Sequence, residues 1–381
     1  MKAVFGKTVY TGRKVVTNSR VLFDGRTVAG VRSKGNAETV GEYEVITPAF
    51  VDPHCHIGMR RAGQPASEGE SNEQMESIVP LVDALDSVMM DDPAFESSIE
   101  AGVLYSCVVP GSGNIIGGRA AVIRNYGRDT TEALIARAGV KAAFGHNVAL
   151  LTRDWKGARP FTRMGAVAML RKRFDEVRLK MDTLRRARGK ARSDAALSRE
   201  DIVLRDILTG RERLRVHVHK TDDIASLLRL VDEFKLKVTV EHAGDVNSPE
   251  TFKQLKKRGI PVVFGPVDSF AYKTELQHEK WRNIRHLLDS GVEFGLMTDH
   301  PVMLQNCLLL QLRHFLRMGL NRQKGIELIT RRNADILGIG NRLGTLERRK
   351  WASFIGWNGD PLDLGSYPVA VFGEGRLLYS G

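Results

Sequence analysis

Ten histidines are distributed along the 381 residues, and five stand at or just past the ends of short apolar runs: His54, His56, His217, His219 and His242. The segment Ile46-Thr47-Pro48-Ala49-Phe50-Val51-Asp52-Pro53-His54-Cys55-His56 reads as an apolar strand ending in His-x-His. Residues two apart on an extended chain project to the same side, so both imidazoles face one point while Cys55 turns away. His217 closes Leu214-Arg215-Val216-His217, His242 closes Val238-Thr239-Val240-Glu241-His242, and Asp299 ends Gly295-Leu296-Met297-Thr298-Asp299. Neutral imidazoles with one carboxylate suit a divalent cation. Zinc is the first choice, with iron or manganese as alternatives, and one coordination position stays open for water. Such an ion lowers the pKa of bound water to about 7 and polarises a carbonyl oxygen. A carboxylate touching that water takes its proton and later delivers it to a leaving nitrogen. Asp299 is the candidate for this work, and the chemistry is metal-assisted hydrolysis of an amide-like bond.

The elements that must bring these residues together follow from the pattern. Residues Ser106–Val109, Val140–Phe144, Leu214–Val218, Lys237–Val240, Pro261–Phe264 and Val292–Met297 are short β-rich runs separated by amphipathic stretches. One such stretch, Thr221 to Phe234, opens on Thr221-Asp222-Asp223, and another starts at Ser248-Pro249-Glu250, an N-cap followed by proline at the first helical position. Repeating strand–helix units imply a parallel sheet, and the length of the middle region favours a closed eight-stranded barrel over an open sheet. No GxGxxG follows the first strand to support a dinucleotide fold. Both chain ends are strand-rich and too small for separate cores. The expected fold is therefore an α/β (β/α)8 TIM-like barrel over residues 49–340, with a small β-sandwich domain built from residues 1–48 and 341–381. In a barrel of this kind the strand ends converge on one face, which makes His54 and Asp299 neighbours.

At this point the chain resembles the amidohydrolase superfamily, in its branch of imidazolonepropionase-like metal-dependent hydrolases. The resemblance rests on Pro48-Ala49-Phe50-Val51-Asp52-Pro53-His54-Cys55-His56, Arg215-Val216-His217-Val218-His219, Glu241-His242 and Thr298-Asp299-His300-Pro301. It continues through Asn333-Ala334-Asp335-Ile336-Leu337-Gly338, Arg342-Leu343-Gly344-Thr345-Leu346 and Asn358-Gly359-Asp360-Pro361-Leu362. It implies a barrel whose metal is held by His54, His56, His217 and Asp299, with His242 a further ligand or a contact to the substrate carbonyl. His219 is expected to contact the substrate or the ligands, with direct ligation as the alternative. Binuclear members carry a carboxylated Lys or a Glu on a middle strand as a bridge. Relatives tend to show Gly-Glu-Asn where this chain has Gly145-His146-Asn147, so His146 is either a site residue or structural, and one ion is expected rather than two. Near the end, Lys350-Trp351-Ala352-Ser353-Phe354-Ile355 replaces the usual Lys-x-Ala-Asp-Leu-Val, which implies altered packing in the small domain. The implied reaction is hydrolysis of a C–N bond, in a cyclic amide or an N-acyl or peptide-like substrate. The alternatives are deamination of an amino-heterocycle and a non-catalytic scaffold on the same fold.

Three other segments draw attention. Val109-Pro110-Gly111-Ser112-Gly113-Asn114-Ile115-Ile116-Gly117-Gly118-Arg119 is glycine-rich after a strand, a backbone able to approach a ligand closely. Asn114, Arg119 and, further on, Arg163 are candidate contacts to a substrate carboxylate or carbonyl. The polar stretch Arg60 to Ser77 reads as a mobile first loop able to close over substrate. The net charge of +12 is concentrated between Arg153 and Arg192, where fourteen Lys/Arg face four acids. That segment reads as a solvated charged helix with Leu170, Phe174, Val177 and Met181 at helical spacing, leading into a linker. No aromatic platform accompanies it, which argues against nucleic acid.

Hydrophobic residues at 42% and charged residues at 27% describe a globular protein able to bury a core. No apolar run approaches the ~18 residues of a membrane span, and the segment Met1 to Lys7 lacks signal-peptide character. Three cysteines, Cys55, Cys107 and Cys307, are too few and too scattered for a disulfide framework. A cytoplasmic, homo-oligomeric enzyme acting on a small molecule is the expectation.

Overall fold

Eight strands of the central region pair in chain order into one sheet in the computed structural model, which describes residues 1–35, 37–152, 154–186, 196–267 and 273–381. They are β1 (Phe50–Cys55), β2 (Val103–Val108), β3 (Ile116–Arg124), β4 (Leu134–Ala143), β5 (Leu214–Val218), β6 (Val238–His242), β7 (Val262–Phe264) and β8 (Phe294–Leu296). Strands β1, β2 and β5 to β8 are buried along their whole length, as expected of a sheet covered on both faces. The first and last strands nearly close the sheet. Asp299 N–H donates to the His54 carbonyl at 3.1 Å and the Thr298 hydroxyl donates to the Asp52 carboxylate.

The expected βα repeat is broken at one point. Strand β3 runs antiparallel to both β2 and β4, while the remaining pairs are parallel. The glycine-rich connection between β2 and β3 is too short to carry a crossover helix, so the chain returns as a hairpin. Arg119 consequently lies on an antiparallel strand and is exposed.

The chain ends pair with one another as expected, but as one continuous seven-stranded sheet, where a sandwich was anticipated. Strand Glu38–Pro48 sits between Lys2–Tyr10 on one side and Phe354–Trp357 on the other. Ser353, at the altered motif, accepts from Glu374 N–H at 3.0 Å, and its hydroxyl lies 2.6 Å from the Tyr105 hydroxyl on β2, tying the small sheet to the barrel.

The basic segment is helical from Arg163 to Arg186, with Leu170, Phe174 and Val177 buried and Met181 packed against the core. Its cations pair outward, Arg171 with Glu233, and Arg173 and Lys180 with the buried Asp201. Residue 153 and the continuation of the basic run, 187–192, lie outside the described residues.

One side chain helps hold the barrel seam. Asn333 Nδ2 donates to the carbonyls of Val51 on β1 (2.6 Å) and Leu296 on β8 (2.8 Å). A Cβ at position 295 would stand 1.8 Å from Asn333 Oδ1, which explains the glycine inside β8. Asn333→Ala should leave two buried carbonyls unpaired and lower the unfolding free energy by about 2–4 kcal/mol in urea titrations. A loss below about 0.5 kcal/mol would show that the seam does not depend on this amide.

Candidate metal centre

Five imidazoles and one carboxylate meet where the strand ends converge. Four of the rings are steadied at one nitrogen and present the other inward. His54 Nδ1 lies 2.5 Å from Glu241 Oε2, His56 Nδ1 lies 2.7 Å from the Val109 carbonyl, and His242 Nδ1 lies 3.0 Å from the Gly265 carbonyl. These acceptors fix Nδ1–H on each ring and leave Nε2 as a lone pair. His217 is held the other way round, its Nε2 3.0 Å from the Asn147 amide and 3.3 Å from Glu275 Oε1. His219 Nε2 is 3.9 Å from the same Glu275 oxygen. The inward nitrogens His217 Nδ1, His219 Nδ1 and His242 Nε2 are buried and have no hydrogen-bond partner among the described residues. Asp299 Oδ1 stands 3.1 Å from His56 Nε2 and 3.4 Å from His54 Nε2.

These atoms form two overlapping groups, His217–His219–His242 and His54–His242–Asp299, and within each group the ligand atoms lie within 4.8 Å of one another. His242 belongs to both. Buried lone pairs without donors are costly in a protein interior, and a divalent cation satisfies several at once. The donor set therefore fits a metal ion.

Backbone conformation contributes to the convergence. Glu241 and His242 are consecutive on β6 and would alternate across the sheet, yet both reach the interior. His242 adopts φ 79° and Asp299 φ 53°, left-handed values that non-glycine residues rarely take. Such strain persists only where the surroundings impose it, and it concentrates at functional sites.

The electrostatics favour metal-ready ligands. Burial pushes the imidazoles of His56, His217 and His242 below the ordinary histidine range and takes His219 to about 4. Burial opposes ionisation of Asp299, but the imidazoles of His242, His54 and His56 outweigh it and hold the carboxyl well below its usual range. Glu241 is likewise kept ionised, down to about 2, as Arg215 and His54 overcome its burial.

Several residues at this site were not singled out from sequence. Lys141 on β4 is fully buried, with Nζ 3.3 Å from His54 Nε2, and burial lowers its amine to about 8. It is a lysine on a middle strand, where His146 had been weighed as the only counterpart of a bridging residue. His146 joins neither histidine group, and its neighbour Asn147 reaches His217 instead. A charged residue inside Val140-Lys141-Ala142-Ala143-Phe144 was the available signal, as was Glu241 inside its own apolar strand. Glu275 lies in a turn with no pattern to betray it.

A cavity of about 300 Å³ opens onto His56, His217 and Asp299. None of the three candidate substrate contacts, Asn114, Arg119 and Arg163, lines it. The Asn114 amide donates to the carbonyls of Glu73 and Glu76. Arg119 is exposed on β3, and Arg163 pairs with Asp223 at 2.8 Å in a neighbouring cleft. The glycines serve packing: a Cβ on Gly113 would meet Trp155 at 2.2 Å, and one on Gly111 would meet Asn72 at 2.3 Å. The first loop, Arg60 to Ser77, expected to be mobile, is tied to the glycine-rich connection and β3 by backbone bonds from Gly111 to Ser71 and from Ile115 and Ile116 to Ser77.

Comparison with known proteins agrees with this geometry. The amidohydrolase family model matches residues 212–375. An amidohydrolase from Thermotoga maritima superposes over 100% of both chains, with TM-score 0.92 and 29% identity. In sequence and in fold the chain is similar to the amidohydrolase superfamily. Amidohydrolase tasK of Hapsidospora irregularis is 28% identical over 88% of this chain, which spans only 36% of that longer protein. A prolidase solved with N-methylphosphonate-L-proline shares the superfamily fold at 17% identity and TM-score 0.63, over 100% of both chains.

The low imidazole pKa values set a direction for stability. As pH falls through about 6.5 the unfolded chain takes up protons that the native rings refuse, so stability is full above that value and declines toward pH 4. Asp52, raised to about 6 by burial, works the opposite way as a single group. The urea midpoint of metal-free protein should therefore fall between pH 7 and pH 5, and a midpoint that stays level or rises would contradict these assignments.

Proposed function

We propose that this protein is a metal-dependent hydrolase of C–N bonds in small amide-like molecules, cyclic amides or N-acyl and peptide-like compounds. The observation that carries the proposal is the pair of histidine groups beside an ionised Asp299, with the inward nitrogens of His217, His219 and His242 lacking hydrogen-bond partners among the described residues. His54, His242 and Asp299 would hold the metal on one side and His217, His219 and His242 on the other, with His56 adjoining Asp299. A divalent ion there supplies Lewis-acid polarisation of a carbonyl and acidifies water.

The residues of the chain do the remaining work. Asp299, at the floor of the cavity, accepts a proton from water as its oxygen bonds to the carbonyl carbon. The same carboxyl then returns that proton to the nitrogen as the C–N bond breaks, giving a carboxylic acid and an amine. Glu241, Val109 and Gly265 hold the rings in the tautomer that leaves Nε2 bare. The fastened first loop limits access of bulk water to the cavity.

Lys141 favours two ions over the single ion expected from sequence. A neutral amine adds CO2 and loses a proton to become a carbamate, the anionic bridge that the resemblance assigns to binuclear members. The Lys141 amine, next to His54 and lowered by burial, is placed for that role. Lys141→Ala should bind one ion fewer per chain than the wild type by elemental analysis, and an unchanged metal content would remove Lys141 from the centre.

Asp299→Asn tests the reaction itself. It should keep the fold and much of the metal while losing about 10²-fold or more of hydrolytic rate on an amide panel. Wild-type turnover in that variant would defeat the assignment of the base, and ammonia release from amino-heterocycles in place of amide cleavage would redirect the substrate class.

A further inference from the structure

The cavity over the histidine groups carries charge that the reaction does not use. Apart from His56, His217 and Asp299, its ionisable walls are Arg60 and Lys273, both cationic. Arg60 follows His56 by one turn, its backbone N–H donating to the His56 carbonyl at 3.1 Å, so its side chain starts beside the His54–His56 group. Among the described residues its guanidinium makes no ion pair, whereas that of its neighbour Arg61 pairs with Asp91. Lys273 stands next to the Thr274–Leu276 turn, whose Glu275 touches His217 and His219, and its charge is felt at both rings. One cation thus flanks each histidine group. Between them the wall is Trp155, an apolar ring face, with Asn72 as an amide beside it.

From this arrangement we infer that the amide substrate carries an anionic group, a carboxylate or a phosphate, held by Arg60 and Lys273 at the cavity mouth. The inference rests on the C–N hydrolase reading and narrows it to a substrate class. Three features support it. A guanidinium at a mouth where, among the described residues, Asp299 is the only carboxylate is an oxyanion receptor by geometry and charge. The cavity, at about 300 Å³, admits a molecule the size of an N-acyl amino acid and little more, so an anionic end necessarily lies near one of the two cations. The net charge of +12 is concentrated between Arg153 and Arg192, a segment whose Trp155 lines the cavity, and it draws anions toward that side.

The test uses metal-loaded full-length protein and a panel of N-acyl amino acids spanning the side-chain types. Each is offered as the free acid and as its carboxamide, with O-phosphoserine carboxamides as a phosphate arm. Free acids should be hydrolysed with kcat/KM about tenfold or more above their carboxamides, the size of a lost charge-assisted hydrogen bond. Arg60→Ala should collapse that ratio to below about threefold, and Arg60→Lys should restore most of it, since the charge returns. A preference for the phosphorylated members that Arg60→Ala also removes supports the same anion site and assigns it to phosphate. Equal hydrolysis of acids and carboxamides, or an Arg60→Ala loss that is the same for both, overturns the anion site while leaving the hydrolase reading intact. No turnover of any member overturns that reading and the anion site with it.

Discussion

Imidazole rings whose centroids lie 4.2 to 5.0 Å apart, with lone pairs turned toward a common point, repel one another unless something positive sits among them. The rest of the fold is arranged around this constraint. The rings of His54, His56, His242 and His217 are tied from behind, by Glu241, by the carbonyls of Val109 and Gly265, or by Asn147 and Glu275, so that each keeps its other nitrogen turned toward the common point. Two residues accept left-handed backbone conformations to reach the same point. Such strain and unmet hydrogen bonding are tolerated together only where a ligand compensates for both.

Behind the rings lies a buried network that sets their charge state. Arg215 pairs with Glu241, Glu241 holds His54, and the amine of Lys141 approaches His54 from the other side. A buried ion pair of this kind contributes little net stability against an apolar pair of equal volume. Its value here is orientation, because a carboxylate locked by Arg215 gives His54 a fixed acceptor. Asp52 extends the network toward the barrel seam through Thr298 and Gln305, so the positioning of Asp299 is coupled to closure of the sheet.

Much of this was legible in the sequence where local rules act alone. The helix Thr221–Phe234 and the Ser248 cap before Pro249 follow from spacing and capping, and the His-x-His pair faces one side because strands alternate. The first strand, Lys2–Tyr10, escaped notice because Gly6 and Lys7 interrupt its pattern. The glycine-rich connection into β3 reads equally as a ligand loop or a tight structural turn, since glycine density marks close approach without saying whether a ligand, Trp155 or Asn72 approaches. Lys141 and Glu275 are hard to assign from sequence for a different reason. A buried charge is explained only by partners distant in sequence, and Lys141 meets His54 across 87 positions.

The central claim is that a divalent cation sits among these side chains. Anomalous diffraction from crystals of metal-loaded protein, collected above and below the metal edge, tests it most directly. The expected result is strong anomalous density coordinated by His54, His56 and Asp299, with a second peak against His217 and His242 and Lys141 lying between the two. Density confined to surface sites, with these nitrogens hydrogen-bonded to ordered water alone, would contradict it.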